Sequence, residues 1–218
     1  MSFKIEVWGD YACFSRPEMK VERCSYDVMT PSAARGLLDA IYWHPGIKWV
    51  IEKVHVLNRI EFTNIRRNEV KSKISASDVK SVMNGNDKAL FIATSSDIAQ
   101  RAAMILRNVH YVIEAHFDLV PEKLAPGDND GKFCDIMRRR ISKGQFYHQP
   151  CFGTREFPAH FRKWEGGEIE TAYPNEERDL GFMLFDMDYS QSDNIVPTFF
   201  RAKLVDGVLN LRDCEVYR

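Results

Sequence analysis

The sequence predicts an α+β protein, with a ferredoxin-like βαββαβ domain over residues 1–160 and a small antiparallel β-sheet domain over residues 161–218. Two observations predict the first domain: apolar residues alternate along Phe3–Trp8, and a helix pattern follows at about residues 32–42. Alternation with period two is typical of a half-buried strand, and apolar spacing of three and four is typical of a helix face. A third observation predicts the second domain, because strand-like segments separated by glycine and proline turns follow Ala159.

The first helix has a start signal, and the other elements of the first domain follow from the same patterns. Thr30 or Ser32 can cap the helix, and Pro31 suits its first turn because an amide N–H is not needed there. The remaining predicted elements are strands at Ile47–Phe62, Met104–Leu119 and Tyr147–Phe157 and a helix at Phe133–Ile141. Residues 64–100 are polar and charged, and an insertion of that length in a compact domain is usually functional or mobile.

The C-terminal domain is predicted to contain only strands and turns. Asp206-Gly207 between two apolar runs is a good hairpin turn. The predicted strands are Glu168–Ala172, Leu180–Asp188, Thr198–Val205 and Val208–Leu211.

Composition and the positions of cysteine limit the class of protein. The formal net charge of −1 gives no support for nucleic-acid binding, so that function has to depend on local basic clusters. The five cysteines form no Cys-x-x-Cys pair, which argues against a zinc site and a disulfide framework. There is no signal-peptide pattern, and no apolar run approaches the roughly 20 residues that span a bilayer. We therefore expect a soluble cytoplasmic protein without a membrane partner, metal or cofactor.

Aromatic and basic residues are interleaved around the first strand-to-helix connection, Gly9–Tyr42, which is followed by Trp43-His44-Pro45. Aromatic rings can stack on bases and cations can neutralise phosphates, so this mixture is typical of a protein that reads single-stranded nucleic acid. The βαββαβ order is also the arrangement of RNA-recognition-motif domains.

Five ordered blocks of this sequence resemble one known family. They are GDYACFSRPEMKVERCSYDVMTPSAARGLLDAIYWHP from Gly9, FTNIRRNEV (Phe62–Val70), EAHFDL (Glu114–Leu119), GQFYHQPCFGTREFPA (Gly144–Ala159) and DLGFMLFDMDYS (Asp179–Ser190). The chain is similar to the CRISPR-associated endoribonucleases of the type I-C (Dvulg) subtype, the "d" variant of the fifth Cas family in the RAMP superfamily. The resemblance implies an RNA-recognition-motif-like domain with a C-terminal β domain.

The same resemblance implies an activity and partners. The expected enzyme cuts CRISPR repeat RNA in precursor crRNA without a metal, leaving a 2′,3′-cyclic phosphate and a 5′-OH. It then stays on the crRNA 5′ handle as a subunit of the type I-C surveillance complex, beside the backbone and large subunits.

Such cleavage needs a base for the ribose 2′-OH, an acid for the departing oxygen and a cation for the phosphate. Histidine suits proton transfer because its ordinary pKa of about 6.5 is near working pH. His110 and His116 share one face of a predicted strand, and His44 follows a helix end. The resemblance matches Tyr42 to an active-site tyrosine that acts with a lysine and a histidine, and His116 to that histidine.

This chain has Glu114 where relatives often carry a basic or amide residue, so the cation is expected from elsewhere. The candidates are Lys20, Arg23, Arg66 and Arg67. The predicted RNA-binding residues are Arg66, Arg67, Arg138, Arg139, Lys143 and Arg155. Residues 144–157 carry Gly144 and Gly153, and a backbone of this kind can approach phosphates closely.

Two other functions stay open from sequence. One is a binding module that holds the crRNA 5′ handle without cutting it, as related members of the fifth Cas family do. The other is metal-dependent DNA cleavage, for which the sequence shows no clustered ligand set.

Overall fold

The protein has an α+β fold in which helices pack on a mostly antiparallel sheet. The structure is a computed structural model that describes residues 2–19, 21–191 and 193–218. The strands of the described residues are β1 (Phe3–Ala12), β2 (Arg23–Cys24), β3 (Ile47–Val56), β4 (Phe62–Val70), β5 (Ile98–Leu119), β6 (His160–Lys163), β7 (Glu177–Asp188), β8 (Val196–Val205), β9 (Val208–Asn210) and β10 (Val216–Tyr217). The helices are α1 (Pro31–Ile41), α2 (Ala76–Met83) and α3 (Asp130–Lys143), with one 3₁₀ turn at Pro121–Lys123.

Strands from both predicted domains join one continuous sheet. Its order is β10-β8-β9-β3-β5-β1-β6, with β2 and β4 also paired to β5 and β7 paired to β8. β5 lies at the centre, antiparallel to β1 on one side and to β3 on the other. The position of β9 between β3 and β8 connects the C-terminal strands to the first part of the chain.

One face of the central strands is apolar and carries α1 and α3. Residues 3, 5 and 7 of β1 and residues 111, 113, 115 and 117 of β5 are buried, as period-two alternation requires. Phe117 lies against Phe133 of α3, with ring centroids 6.2 Å apart. Burying a side chain of this size contributes about 1.5–3 kcal/mol, so this face holds the core of the central sheet.

The first helix forms where the sequence predicts it. The Thr30 hydroxyl accepts a hydrogen bond from the Ala33 amide at 3.2 Å, and Pro31 occupies the first turn. Leu37, Leu38 and Ile41 are buried against the sheet. The later helix also begins at a polar cap, because Asn129 accepts from the Lys132 amide at 2.9 Å. It ends at Gly144, whose φ of 61° is the left-handed conformation that glycine adopts readily.

The prediction of one long strand over Ile47–Phe62 is wrong. β3 ends at Val56 and β4 begins at Phe62, because residues 57–61 form an irregular connection. Asn108 of β5 lies beside this connection with a φ of 51°, and the Asn58 side chain donates to its carbonyl at 2.9 Å. Much of the predicted insertion is a hairpin, since β4 pairs with the first half of β5 from Val70↔Ile98 to Phe62↔Leu106. α2 lies in the connection between these two strands and has no buried residue.

The fourth strand of the first domain is also misplaced in the sequence prediction. Tyr147–Phe157 is a loop with turns and a single bridge between Cys151 and Pro158, and the strand that pairs with β1 is β6. The predicted strand Glu168–Ala172 is wrong as well. Residues 164–172 cross the sheet as a connection held at its ends, where the Trp164 amide donates to the Lys4 carbonyl and the Ala172 amide to the Val56 carbonyl.

The remaining C-terminal predictions are confirmed within a few residues. β7 and β8 form a long hairpin, and β8 and β9 are joined at Asp206-Gly207, where both φ values are positive as a tight hairpin turn requires. Arg35 connects α1 to the hairpin of β7 and β8 through two hydrogen bonds of 2.8 Å to the Asp186 carboxylate. No helix in the part of the chain that the structure describes is long and apolar enough to cross a membrane.

Candidate active site

The polar face of the central sheet, opposite α1 and α3, carries three histidines that each contact a glutamate. These residues alternate with the buried apolar residues, so they point away from the core. Each glutamate also pairs with a cation, which gives three similar groups. The groups are His116–Glu52–Arg212, His110–Glu6–Arg162 and His55–Glu114–Lys4.

The first group combines a fixed histidine with an accessible ring. His116 Nδ1 lies 2.7 Å from Glu52 Oε1, and Arg212 Nη2 lies 2.7 Å from Glu52 Oε2. The hydrogen bond from Arg212 is the main cause that holds the pKa of Glu52 below its ordinary value, which keeps it a carboxylate. The His116 side chain is 32% exposed. A carboxylate on Nδ1 fixes the orientation of the imidazole, so proton transfer would use Nε2, which lies 3.6 Å from an exposed Asp118 oxygen.

Glu52 lies at a β-bulge, two residues after Val50, which is the register partner of His116. Residues two apart on a strand share a face, so Glu52 lies on the same face as His116. The pairing of β3 with β5 shifts register between Ile51 and Lys53, so that Glu52 is an extra residue on β3. Bulges are common beside functional sites. The Glu52 carbonyl accepts from the Leu211 amide at 2.9 Å, which brings the neighbouring Arg212 to the same place.

The second group is part of an aromatic cluster on β1, β5 and β6. His110 Nε2 lies 2.8 Å from a Glu6 oxygen, and Arg162 Nη2 donates to the same oxygen at 2.9 Å. The hydrogen bond from Arg162 is the main reason why the pKa of Glu6 is lowered. The Trp8 ring lies 5.7 Å from His160 in a stacked arrangement and 5.3 Å from the Arg162 guanidinium.

In the third group, His55 and Glu114 are buried beneath the connection formed by residues 164–172, and Lys4 is exposed. His55 and Glu114 are 3.1 Å apart, and both line a cavity of about 820 Å³ together with Lys4. Burial lowers the pKa of His55 despite the opposing effect of Glu114. Burial raises the pKa of Glu114, but the hydrogen bond and charge of Lys4 and the contact with His55 outweigh it, so the net shift is downward. A neutral histidine beside a carboxylate fits a structural role here.

Tyr42 lies on the other side of the sheet from His116. Its side chain is 6% exposed, its ring lies 6.4 Å from Phe133, and its carbonyl accepts from Trp49 Nε1 at 3.1 Å. The Arg140 guanidinium lies 5.1 Å from the ring centroid. Burial raises the pKa of the hydroxyl. The structure therefore does not bring the two predicted catalytic side chains together.

His44 belongs to the helix side, next to Tyr42. Its Nδ1 accepts a hydrogen bond from the Gly46 amide at 3.0 Å, and its ring lies 4.8 Å from Phe133. Nε2 is 3.7 Å from an Asp128 oxygen. His44 thus closes the turn after α1, and it is not near His116 or His110.

The predicted phosphate-binding cations lie at the far end of β5 from His116. Arg23 is 3.0 Å from Glu69, and Arg67 contacts both Glu69 and Glu156. Arg66 is exposed on the neighbouring position of β4. Lys20 lies outside the described residues. Arg212 is connected to His116 through Glu52, which both side chains contact. The sequence did not indicate Arg212, because it is distant in the chain and belongs to no recognisable motif.

The other predicted RNA-binding residues lie on α3 and the loop that follows it. Arg138, Arg139 and Lys143 are exposed on α3, where Arg138 is 3.2 Å from Asp135, and Arg155 is exposed on the loop. Gly144 ends α3, and Gly153 packs against the backbone of Cys13, so these glycines serve the fold at those points.

The structure adds residues that the sequence did not single out, above all Glu52, Glu6 and Arg212. Glu6 and Glu52 are single acidic residues on strands, and Arg212 is a single basic residue after the last strand of a hairpin. Single charged residues of this kind are too common in a sequence to select a site. Among the residues that the structure describes, no group of three or more histidine, cysteine or acidic side chains is arranged to hold a metal ion.

Comparison with known proteins identifies the family. A family model described as CRISPR-associated protein (Cas5) matches residues 2–212, nearly the whole chain. The chain is thus a protein of the CRISPR-associated Cas5 class. Its fold is a mostly antiparallel sheet with helices on one face and histidines on the other. Within this class, the chain belongs to the Cas5d family.

Two curated relatives carry the same name, CRISPR pre-crRNA endoribonuclease Cas5d. The protein from Mannheimia succiniciproducens is 47% identical over 213 residues, which cover 95% of this chain and 93% of that protein. The protein from Thermus thermophilus is 37% identical, and the match covers 99% of this chain and 94% of that protein.

Solved structures share the fold. A crystal structure of a CRISPR-associated protein matches with a TM-score of 0.72 at 23% identity and covers 100% of this chain and 97% of that chain. A chain of a CRISPR RNA-guided surveillance complex matches with a TM-score of 0.55 at 12% identity and covers 100% of this chain and 89% of that chain.

Proposed function

We propose that this chain is a pre-crRNA endoribonuclease, as the names of its Cas5d relatives state for those proteins, and that it cuts CRISPR repeat RNA without a metal. The observation that carries the proposal is the His116–Glu52 contact of 2.7 Å with a partly exposed imidazole. This arrangement supplies an oriented group for proton transfer at the RNA.

The proposed reaction uses a nucleophile from the RNA itself. His116 Nε2 accepts the proton of the ribose 2′-OH, and the O2′–P bond forms while the P–O5′ bond breaks. The proton that His116 has taken then passes to the departing O5′, so the products are a 2′,3′-cyclic phosphate and a 5′-OH, and the imidazole returns to its neutral form. Glu52 holds the ring as a positioning residue, and Arg212 keeps Glu52 ionised and adds positive charge beside the phosphate.

The proposal extends to the architecture and assembly of the chain. The strand order β6-β1-β5-β3 with two helices on one face supports a ferredoxin-like, RNA-recognition-motif-like domain over residues 1–160, followed by a C-terminal β domain over 161–218. The product is retained by its 5′ handle in the cytoplasm, as a subunit of a type I-C complex with backbone and large subunits. The shared fold with a chain of a surveillance complex supports that assembly.

One observation favours a second candidate function. Tyr42, which the family resemblance assigns to catalysis, lies across the sheet from His116. A chain in which these two side chains do not form one active site would hold the crRNA 5′ handle without cutting it. Cleavage of repeat RNA by the purified chain separates the two functions directly.

The test compares His116→Ala with His110→Ala, which removes an equivalent histidine of the same strand and face. We expect His116→Ala to lower the rate of repeat RNA cleavage by about 10²–10⁴-fold with unchanged RNA affinity. The His110 variant is expected to cut at nearly the wild-type rate. Cleavage is expected to continue in EDTA and to stop when the ribose before the scissile phosphate is 2′-deoxy.

Three results would contradict the proposal. Equal rates for His116→Ala and wild type would remove His116 from the chemistry. Cleavage of the 2′-deoxy substrate at the same phosphate would exclude attack by the 2′-OH. Tight binding of repeat RNA with no cleavage by the wild-type chain would support the handle-binding function.

A further inference from the structure

Two large aromatic side chains are exposed where α1 and α3 end. Trp43 is 58% exposed and Tyr147 is 66% exposed. Single exposed apolar residues are ordinary on a protein surface. Trp43 follows the end of α1, and Tyr147 follows α3, whose C-terminal half carries the exposed cations Arg139 and Lys143. We call Trp43, Tyr147, His148, Arg139 and Lys143 the helix-end surface.

Backbone hydrogen bonds hold this surface on the end of α1. The amides of Tyr147 and His148 both donate to the Ala40 carbonyl, at 2.9 and 3.0 Å. Arg140 of α3 donates to the Ile41 carbonyl. Carbonyls in the last turn of a helix lack partners within the helix, so these contacts satisfy the end of α1 and fix the loop after α3 to it. The backbone that carries Tyr147 and His148 is thereby held against the end of α1.

The cations of the helix-end surface lie on one side of α3. Arg139 and Lys143 are four residues apart, so their side chains are neighbours on the helix, and both are exposed. A cation in the last turn of a helix interacts favourably with the helix dipole, which accounts for the position of Lys143 but not of Arg139. The dipole also does not account for the exposed indole and phenol rings that follow the two helices, and this combination has the chemistry of a nucleic-acid surface.

A cleft next to the surface adds room for a nucleotide chain. It has a volume of about 430 Å³ and is lined along α1 by Ser32, Gly36 and Ala40 and, opposite them, by Gly153. It therefore reaches the residue whose carbonyl anchors Tyr147 and His148. Gly36 is exposed and faces open space, so α1 presents no bulky side chain there.

We propose that the helix-end surface binds a single-stranded segment of the RNA, with bases stacked on Tyr147 and Trp43 and phosphates paired with Arg139 and Lys143. The proposal rests on the proposed function for the identity of the RNA as a CRISPR repeat transcript. Bases are favoured over an acidic protein segment because stacking uses the flat faces of exposed rings, whereas an acidic peptide needs only the cations. The site lies on the helix side of the sheet and is separate from the His116–Glu52 pair.

The experiment measures the affinity of a fluorescein-labelled single-stranded RNA of about ten nucleotides, a length within the site sizes of single-strand readers. Tyr147→Ala and Trp43→Ala are each expected to weaken binding by about 5- to 100-fold, the usual value of one stacked base. Tyr147→Phe keeps the ring and is expected to bind like wild type. Tyr189→Ala is the matched control, because Tyr189 is equally exposed at 64% but lies at the end of β7.

Two further measurements identify the contacts. With RNA that contains abasic nucleotides, the effect of Tyr147→Ala is expected to disappear, which a merely structural defect would not produce. The double variant Arg139→Ala/Lys143→Ala is expected to reduce the salt dependence of binding by a slope of about 1.4, or about 0.7 for each phosphate contact.

Affinities of Tyr147→Ala and Trp43→Ala equal to that of Tyr189→Ala would overturn the inference. Polyglutamate that competes with RNA for wild type and Tyr147→Ala alike would also overturn it, in favour of an acidic protein partner. The proposed endoribonuclease can fail independently: a wild-type chain that cuts no repeat RNA but loses affinity in Tyr147→Ala keeps this surface and rejects the activity. If cleavage depends on His116 but Tyr147→Ala binds RNA with the wild-type affinity, the activity is kept and the helix-end surface is rejected.

Discussion

At the scale of single residues, the environment decides which histidine is suited to chemistry. His116 and His55 each contact a glutamate on the same face of the sheet, but their side chains are 32% and 10% exposed. The exposed ring can contact a substrate. Protonation of the buried ring, by contrast, destabilises the fold, because burial disfavours its charged form. The same residue type therefore serves a proposed reaction at one position and packing at the other.

The buried histidine predicts a pH dependence of stability. Burial lowers the pKa of His55 in the folded chain, so below about pH 6.5 the unfolded chain binds the proton more readily. The free energy of unfolding is therefore expected to fall as the pH drops through 6.5, by less than about 1.4 kcal/mol for each pH unit from this residue. The contribution of Glu114, whose pKa is also lowered, is lost at lower pH, below its ordinary value of 4.5.

Urea unfolding at several pH values tests this expectation. His55→Gln is expected to flatten the dependence between about pH 7 and pH 5.5, where histidine titrates. His148→Gln is the control, because His148 is exposed. An unchanged slope in His55→Gln would mean that the group beside Glu114 and Lys4 does not control stability in this range.

Tyr42 is the residue for which family resemblance and geometry differ most. The resemblance predicts that loss of its hydroxyl in Tyr42→Phe slows cleavage by about 10²–10³-fold, as expected for one hydrogen-bond donor at a developing charge. Because the ring is kept, packing against Phe133 is expected to survive. Single-turnover rates and RNA affinity, measured beside Tyr111→Phe as a buried control, decide the matter. A wild-type rate would make Tyr42 a core residue and leave His116, oriented by Glu52, as the group that transfers the proton.

At the scale of elements, the loop at residues 144–159 is positioned by backbone contacts to β1 and α1. The Cys13 amide donates to the Phe152 carbonyl at 3.0 Å, and Phe152 is fully buried. Gly153 has a φ of 82°, and a Cβ atom there would lie 2.0 Å from the Cys13 carbonyl oxygen. Its glycine thus permits close contact between two backbones rather than an approach to phosphate.

Gly153→Ala is expected to lower the free energy of unfolding by about 2–4 kcal/mol, because it adds both backbone strain and a clash. Gly85→Ala is the matched control: Gly85 has a similar φ of 89° but nothing within 4 Å of an added Cβ. That control is expected to lose about 1 kcal/mol from strain alone. Equal losses in the two variants, measured by denaturant unfolding, would show that the contact with Cys13 contributes nothing.

At the scale of the whole molecule, similar basic residues have different partners. Arg66 and Arg67 are adjacent on β4, but Arg67 reaches Glu156 across the chain and thereby joins β4 to the loop that follows α3. Arg66 is exposed on the other side of the strand. The two neighbouring arginines therefore differ: Arg66 is exposed to solvent, whereas Arg67 connects two parts of the fold.

This division makes a prediction for RNA binding. Arg66→Ala is expected to reduce the slope of log affinity against log salt by about 0.7, the value for one single-strand phosphate contact, with stability unchanged. Arg67→Ala is expected to lower the melting temperature, with a smaller effect on the slope. The reverse pattern in a salt titration and a thermal melt would assign the phosphate contact to Arg67.

The sequence by itself determined the α+β class, the capped helix α1, the strand that carries His110 and His116, and the turn at Asp206-Gly207. These features depend on local patterns of two to four residues, which the chain order displays directly. Five ordered motifs were also enough to identify the family. The tertiary structure alone decided where β3 ends, that β6 rather than Tyr147–Phe157 completes the central sheet, and which residues surround each histidine. Those features depend on partners distant in the chain, such as Arg212 for Glu52 and Cys13 for Gly153, and no local pattern encodes such contacts.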